Sequence, residues 1–257
     1  MRLAPVVLLQ LVALLACAAP GGEEDDDKPG RDGEADADTD ADTDADSDAD
    51  SDTDTDVDVA PCGRYTSAHL VGSEAVHRYT DEAEELFGYG GTYTNVTESY
   101  DPTSGEVVFS SETTLTGSSY RYYESTSTSV ARCDTDGVWM ESYYTEWAYE
   151  TADGYTGSGW QEVTYDEGYL TMPSGVSVGD TWTASGTYRY DGSSGGGSYA
   201  YDVDYEVVDE ASKTVPAGTY AALRVRSTVS SSESDFWVAP NIGTVATDYA
   251  ELERWTP

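Results

Sequence analysis

Tyr199-Ala200-Tyr201-Asp202-Val203-Asp204-Tyr205-Glu206-Val207 is the most regular stretch of the chain. Tyr199, Tyr201, Val203, Tyr205 and Val207 fall on one side of an extended strand, and Asp202, Asp204 and Glu206 on the other, because successive side chains of a strand point to opposite faces. Three neighbouring carboxylates cannot be buried without partners, so their side must face water. The other side, ring after ring, must then face a core. A sheet that is wet on one face and aromatic on the other is expected to be antiparallel.

The pattern continues on either side. Downstream, Val215-Pro216-Ala217-Gly218-Thr219-Tyr220 reads as a turn, since Pro fixes φ and Gly accepts a positive φ. Ala221, Leu223, Val225 and Val229 then alternate with Tyr220, Arg224, Arg226 and Thr228. Phe236 to Val238 form a further strand, Pro240 to Gly243 reverse the chain, and Val245 to Leu252 are expected to be a third. Upstream, Tyr93–Tyr100, Glu106–Leu115, Tyr120–Cys133, Val138–Glu150, Trp160–Tyr165, Tyr169–Met172 and Thr181–Tyr190 are rich in Thr, Tyr and Val. Turn residues separate them, among them Asp101-Pro102 and Asp134-Thr135-Asp136-Gly137. Ala75–Tyr79 is a candidate first strand. A single short helix is expected over Thr80–Gly88, capped by Thr80 or Asp81 and stopped by Gly88. The expected fold is all-β: about ten long strands in sequential order, which favour one antiparallel, strongly curved sheet or half-barrel, with a β-sandwich as the alternative.

Composition divides the chain into three zones. Residues 1–17 carry one charge, Arg2, followed by an apolar run of signal-peptide length. They end in Leu14-Leu15-Ala16-Cys17, which resembles the bacterial lipobox. That resemblance implies cleavage before Cys17 and a lipid, such as palmitate, on its thiol. Ala18 and Ala19 follow, with no Asp directly after the cysteine, which in such lipoproteins implies outer-membrane delivery. Residues 18–59 hold nineteen acidic residues against Lys28 and Arg31, and every even position from Asp36 to Asp58 is Asp. Such a segment repels itself and buries nothing, so it reads as a disordered linker that could reach at most about 140–150 Å. Residues 60–257 are the all-β domain, with 31 acidic and nine basic residues. Nucleic acid is a poor partner for that charge, and the membrane is expected to be reached through the lipid anchor alone.

Once Cys17 is set aside, Cys62 and Cys133 remain, and an even remainder in an exported chain favours a disulfide. Pro173 to Trp182, Val215 to Tyr220 and Phe236 to Val245 resemble turn-and-strand motifs of a group of largely uncharacterised bacterial envelope lipoproteins. The domains of that group look like the half-barrel of lipoprotein carriers. The resemblance covers about residues 173–250 and implies a fold, not an active site.

No motif carries catalysis. The Gly-x-Ser-x-Gly elbow and the P-loop are missing, and His69 and His77 lack a metal-binding pattern. No enzyme activity, metal or cofactor is therefore expected, and the Asp-x-Asp run lacks the glycine and terminal glutamate of a calcium loop. Twenty-one Tyr and six Trp against three Phe are the remaining hint, since amphipathic rings suit ligand-binding surfaces. Trp182, Tyr199, Tyr201, Tyr205, Leu223, Val225 and Trp237 are the candidate lining for a hydrophobic ligand such as an acyl chain. If Trp139, Trp147 and Trp160 share an exposed face, a glycan is the alternative partner.

Overall fold

A computed structural model describes residues 62–257. The lipobox, Cys17 and the acidic linker lie outside the described residues. The elements are β1 (Glu74–Tyr79), α1 (Asp81–Phe87), β2 (Gly90–Tyr100), β3 (Glu106–Thr116), β4 (Tyr120–Cys133), β5 (Gly137–Thr151), β6 (Thr156–Pro173), β7 (Thr181–Gly192), β8 (Gly197–Val215), β9 (Gly218–Val229), β10 (Ser232–Ala239), β11 (Gly243–Thr247) and β12 (Ala250–Thr256).

Each strand pairs antiparallel with its neighbours in sequence, and β1 also pairs with β12, so the sheet is a closed barrel. This corrects the expected half-barrel and its sandwich alternative. The closing strand is only six residues long, yet it is used on both sides: Glu74 faces Thr256 and Val96, and Ala75 faces Trp255 and Asn95. Salt bridges Arg78–Glu253 and Arg254–Glu74 cross the seam. Closure pairs the first and last strands, which would otherwise be the edges of the sheet, and the β6–β7 pairing is the partial one, limited to Gln161–Tyr165 against Tyr188–Gly192. Local periodicity does not carry it, because the partners are 182 residues apart at Glu74 and Thr256. The expected strand over Val245–Leu252 is also corrected. It breaks at Asp248–Tyr249 into β11 and β12, where Thr247 Oγ1 accepts from the backbone N–H groups of Tyr249 and Ala250.

The alternation appears as read over 201–207, while Tyr199, expected on the core side, is exposed because it stands at the start of β8 beyond the buried core. Tyr201, Val203, Tyr205 and Val207 are buried, while Asp202, Asp204 and Glu206 are exposed. A bulge between Val207 and Asp209 interrupts the register with β9, so Leu223 and Ala222 are both buried and Ala221 is exposed. Beyond the bulge the β8–β9 hairpin reaches β12: Ala217 N–H donates to Leu252 O at 3.0 Å, and Lys213 pairs with Glu251.

The two ends of the barrel are treated differently. At one, α1 is capped by Thr80, whose hydroxyl accepts from Ala83 N–H, and stopped by left-handed Gly88. Ala83 packs among Tyr79, Tyr89, Tyr93, Leu115 and Tyr123. At the other end, where β4 meets β5 and β10 meets β11, residues 62–73 run along the barrel. A disulfide joins Cys62 to Cys133, Arg64 O accepts from Asn241 N–H, and Tyr65 enters the main core cluster. Gly63 has φ +74° and sits so close to Ser174 that a Cβ would stand 2.6 Å from the Ser174 Cα. A side chain there would lift the segment off the barrel.

Candidate functional site

The core is not one apolar filling. Along β6 to β10 the interior side is aromatic and aliphatic: Tyr165, Tyr169, Tyr201, Val203, Tyr205, Leu223 and Val225 form one cluster. Their rings meet edge-on or tilted at 5.2–5.5 Å between centroids for Tyr165–Tyr169, Tyr165–Tyr201 and Tyr169–Tyr201. Burial pushes the Tyr165 phenol far above the ordinary range, and Tyr201 OH donates to Gly168 O at 2.9 Å. Tyrosine serves this wall because its ring fills volume while its hydroxyl finds a partner.

Along β2 to β6 the side chains are different. Asn95, Ser111, Ser127, Thr145 and Gln161 stand directly opposite one another in successive strand pairs, making a polar row across five strands. At about 4.8 Å per strand it is about 19 Å long. Thr145 and Gln161 are buried, and the Ser127 and Thr145 hydroxyls are 2.8 Å apart. Thr113, Ser125 and Ser129 are buried beside the row.

Where the two walls meet residues 62–73, they leave a cavity of about 160 Å³. Phe109, Val138, Met140, Met172, Tyr205, Phe236 and Val238 supply its apolar lining; Tyr65, Asn95, Thr97, Thr171 and Thr244 are among its polar lining. No Asp, Glu, Lys or Arg lines it. Several polar groups are already committed: Thr97 Oγ1 bonds with Ser73 and with Ser67 O, and Thr171 Oγ1 donates to Val138 O.

His77 is the exception. It follows Ala75 and precedes Tyr79 on the inward side of β1, is 2 % exposed and lies in the cavity wall. Its ring stacks on Tyr93, 4.5 Å between centroids and 7° from parallel. Burial lowers its pKa from 6.5 to about 4, against the opposing bond to the Thr244 backbone, so the ring is neutral at pH 7. Nε2 lies 2.9 Å from Thr244 O. A carbonyl can only accept, so the single ring proton is on Nε2 and Nδ1 is an acceptor. That Nδ1 is buried with no partner in the protein.

The aromatic candidates from the sequence divide three ways. Tyr201, Tyr205, Leu223 and Val225 join one cluster with Trp182 packed against it, and Trp182 stacks on Tyr205 at 4.8 Å. Of these Tyr205 lines the cavity. Tyr199 is 47 % exposed, and Trp237 packs beneath Arg224 and Lys213 in a separate cluster. Trp139, Trp147 and Trp160 do not share a face. Trp147 packs in the α1 end of the core, Trp139 donates to Asp134 Oδ1 at 3.2 Å, and half-exposed Trp160 stacks on Tyr144. His77 was legible only as one member of the Ala75-His77-Tyr79 alternation, and nothing local distinguishes its unpartnered nitrogen.

Among the described residues no group of three or more His, Cys, Asp or Glu could hold a metal ion. The outward carboxylates of β8 make that part of the outer surface the reverse of the apolar band of a transmembrane barrel.

No family model and no curated protein matches the chain. Among solved structures, a protein designated as exported, with a YmcC-like fold, from Bacteroides fragilis is similar at 16 % identity and TM-score 0.44, covering 76 % of this chain and all of that one. A protein designated a lipoprotein from Parabacteroides distasonis is similar at 13 % identity and TM-score 0.36, covering 76 % of this chain and 99 % of that one.

Proposed function

We propose that this protein is a lipid-anchored lipoprotein of the bacterial envelope, delivered to the outer membrane, whose barrel is a non-enzymatic binding module for a small amphiphile. The interior cavity is the observation that carries the binding half of the reading. It is concave, mostly apolar and provided with a few polar groups, as small-molecule sites are. Its volume sets the size of what it encloses. About 160 Å³ is well under the ~300–1,000 Å³ of drug-sized pockets and close to the ~150 Å³ engineered cavity that holds benzene. The pocket is partly open, so one ring or a short chain is what it buries, and the rest of a whole acyl tail would lie outside it or displace the Tyr165–Tyr205 cluster. The anchor half rests on Leu14-Leu15-Ala16-Cys17 and on the acidic linker, which would hold the barrel away from the membrane.

Native mass spectrometry of the protein purified from envelopes in detergent tests the binding half: a retained small molecule is expected, and a chain of bare polypeptide-plus-anchor mass would contradict it. For the anchor, radiolabelled palmitate is expected to enter the wild-type chain and not Cys17→Ser. Equal labelling of both would remove that half.

A second reading has one observation in its favour. Trp160 and Tyr144 stack at 6.1 Å, both partly exposed, with Glu146 opposite Trp160 and Glu162 opposite Tyr144 on the adjacent strand. Rings flanked by carboxylates suit a sugar. Glycan-array binding that disappears in Trp160→Ala would favour this surface over the cavity.

A further inference from the structure

We infer that the cavity takes an uncharged molecule, a single ring or short chain, that carries one hydroxyl or N–H group and donates it to His77 Nδ1. This rests on the cavity being the binding site, as proposed above, and specifies the chemistry of its ligand.

Two observations fix the class. The first is the orphaned acceptor. Nε2–H is spent on Thr244 O, the ring is held against Tyr93, and Nδ1 is buried and unpaired on a residue that lines the cavity. A buried acceptor without a donor has given up its bond to water without a replacement, and a ligand bearing a donor would restore that bond. A hydrocarbon cannot, and a carboxylate has no proton to give at neutral pH.

The second is the absence of charge in the lining. No Lys or Arg is there to balance an anion, and no Asp or Glu to balance a cation, so a charged ligand would lose its hydration without compensation. The surrounding barrel, with 31 acidic and nine basic residues, repels anions further. Fatty acids and other carboxylates are thereby disfavoured, while alcohols, phenols and indole-like N–H donors fit.

The test is equilibrium dialysis of the full chain, purified in detergent with a detergent-only blank, against p-cresol, toluene and 4-methylbenzoate at pH 7.5. These probes share a methyl-substituted ring and differ in the group offered to Nδ1. p-Cresol is expected to bind about tenfold more tightly than toluene, the factor one restored buried hydrogen bond supplies, and 4-methylbenzoate least of all. His77→Phe keeps a ring beside Tyr93 and removes the acceptor, so the preference for p-cresol over toluene should vanish. The ¹⁵N resonance of His77 Nδ1 in the unaltered protein gives a readout that does not depend on that variant folding. It should shift with p-cresol and stay in place with toluene. Equal affinity for p-cresol and toluene, or tighter binding of 4-methylbenzoate, would overturn the ligand class and leave the cavity as a binding site. Failure of all three probes to bind would overturn the site itself.

Discussion

The two walls of one barrel interior solve the same problem in opposite ways. The β6–β10 wall removes water with large side chains: tyrosine rings whose hydroxyls find partners, and Val203, Val207, Leu223 and Val225 between them. The β2–β6 wall is crossed at its middle by a polar row, Asn95, Ser111, Ser127, Thr145 and Gln161, aligned so that neighbours can satisfy one another, with Tyr93, Leu115 and Tyr123 on its α1 side and Val107, Ala131 and Val138 on the other. Each buried apolar side chain of the first wall contributes about 1.5–3 kcal/mol. A hydroxyl pair of the second contributes about 1 kcal/mol net. The first wall therefore carries more of the stability, and the cavity borders on both: Asn95, Thr97 and Phe109 on one side, Tyr205, Phe236 and Val238 on the other.

If that division holds, perturbations should rank accordingly. The largest effect is expected where residues 62–73 are held against the polar wall. Replacing Cys62 and Cys133 together by Ser opens a loop of sequence separation 71, and should lower unfolding free energy in urea by about 4 kcal/mol. A loss under about 1 kcal/mol would show that the segment is held without its bridge. On the aromatic wall, Leu223→Ala should cost about 3 kcal/mol, since Leu223 is 1 % exposed within the main cluster.

At the junction of the walls, His77 should make stability depend on pH. Its folded pKa, about 4, lies below its unfolded value of 6.5, so the unfolded chain takes up the proton first as pH falls. The stabilisation is complete above about pH 6.5 and is lost progressively down to about pH 4, a change of about 3 kcal/mol. Urea titrations at pH 7, 5.5 and 4 should show this slope in the wild type and a shallower one in His77→Gln. Parallel slopes would mean the histidine is not buried neutral.

Smaller effects complete the ranking. Ser127→Ala leaves the Thr145 hydroxyl without its neighbour and should cost about 1 kcal/mol. Asp202→Asn, on the water-facing side of β8, should change stability by less than about 0.5 kcal/mol. A cost for Ser127→Ala equal to that of Leu223→Ala would erase the distinction between the walls.

The contrast also explains what the sequence disclosed. Tyr199–Val207 announces a wet face and a buried face because its two sides differ in chemistry at every position. Thr80 and Gly88 mark a helix through capping alone, and Asp134 to Gly137 a hairpin through its turn residues. The polar wall gives no such signal: in β4, Ser125, Ser127 and Ser129 point inward while Thr126 and Thr128 point outward, and Ser and Thr read alike on both faces. Closure through Glu74–Tyr79 is a pairing between distant segments, which short-range periodicity does not record. His77 and the cavity lie at that seam, so the candidate site was hidden for the same reason the closure was.

A crystal of the protein under xenon pressure examines the barrel and its cavity together. Xenon should appear at one interior position bounded by Phe109, Met140, Tyr205 and Phe236, within a sheet in which Ala75 pairs with both Asn95 and Trp255. A sheet open between β1 and β12, or an interior without xenon, would contradict the account.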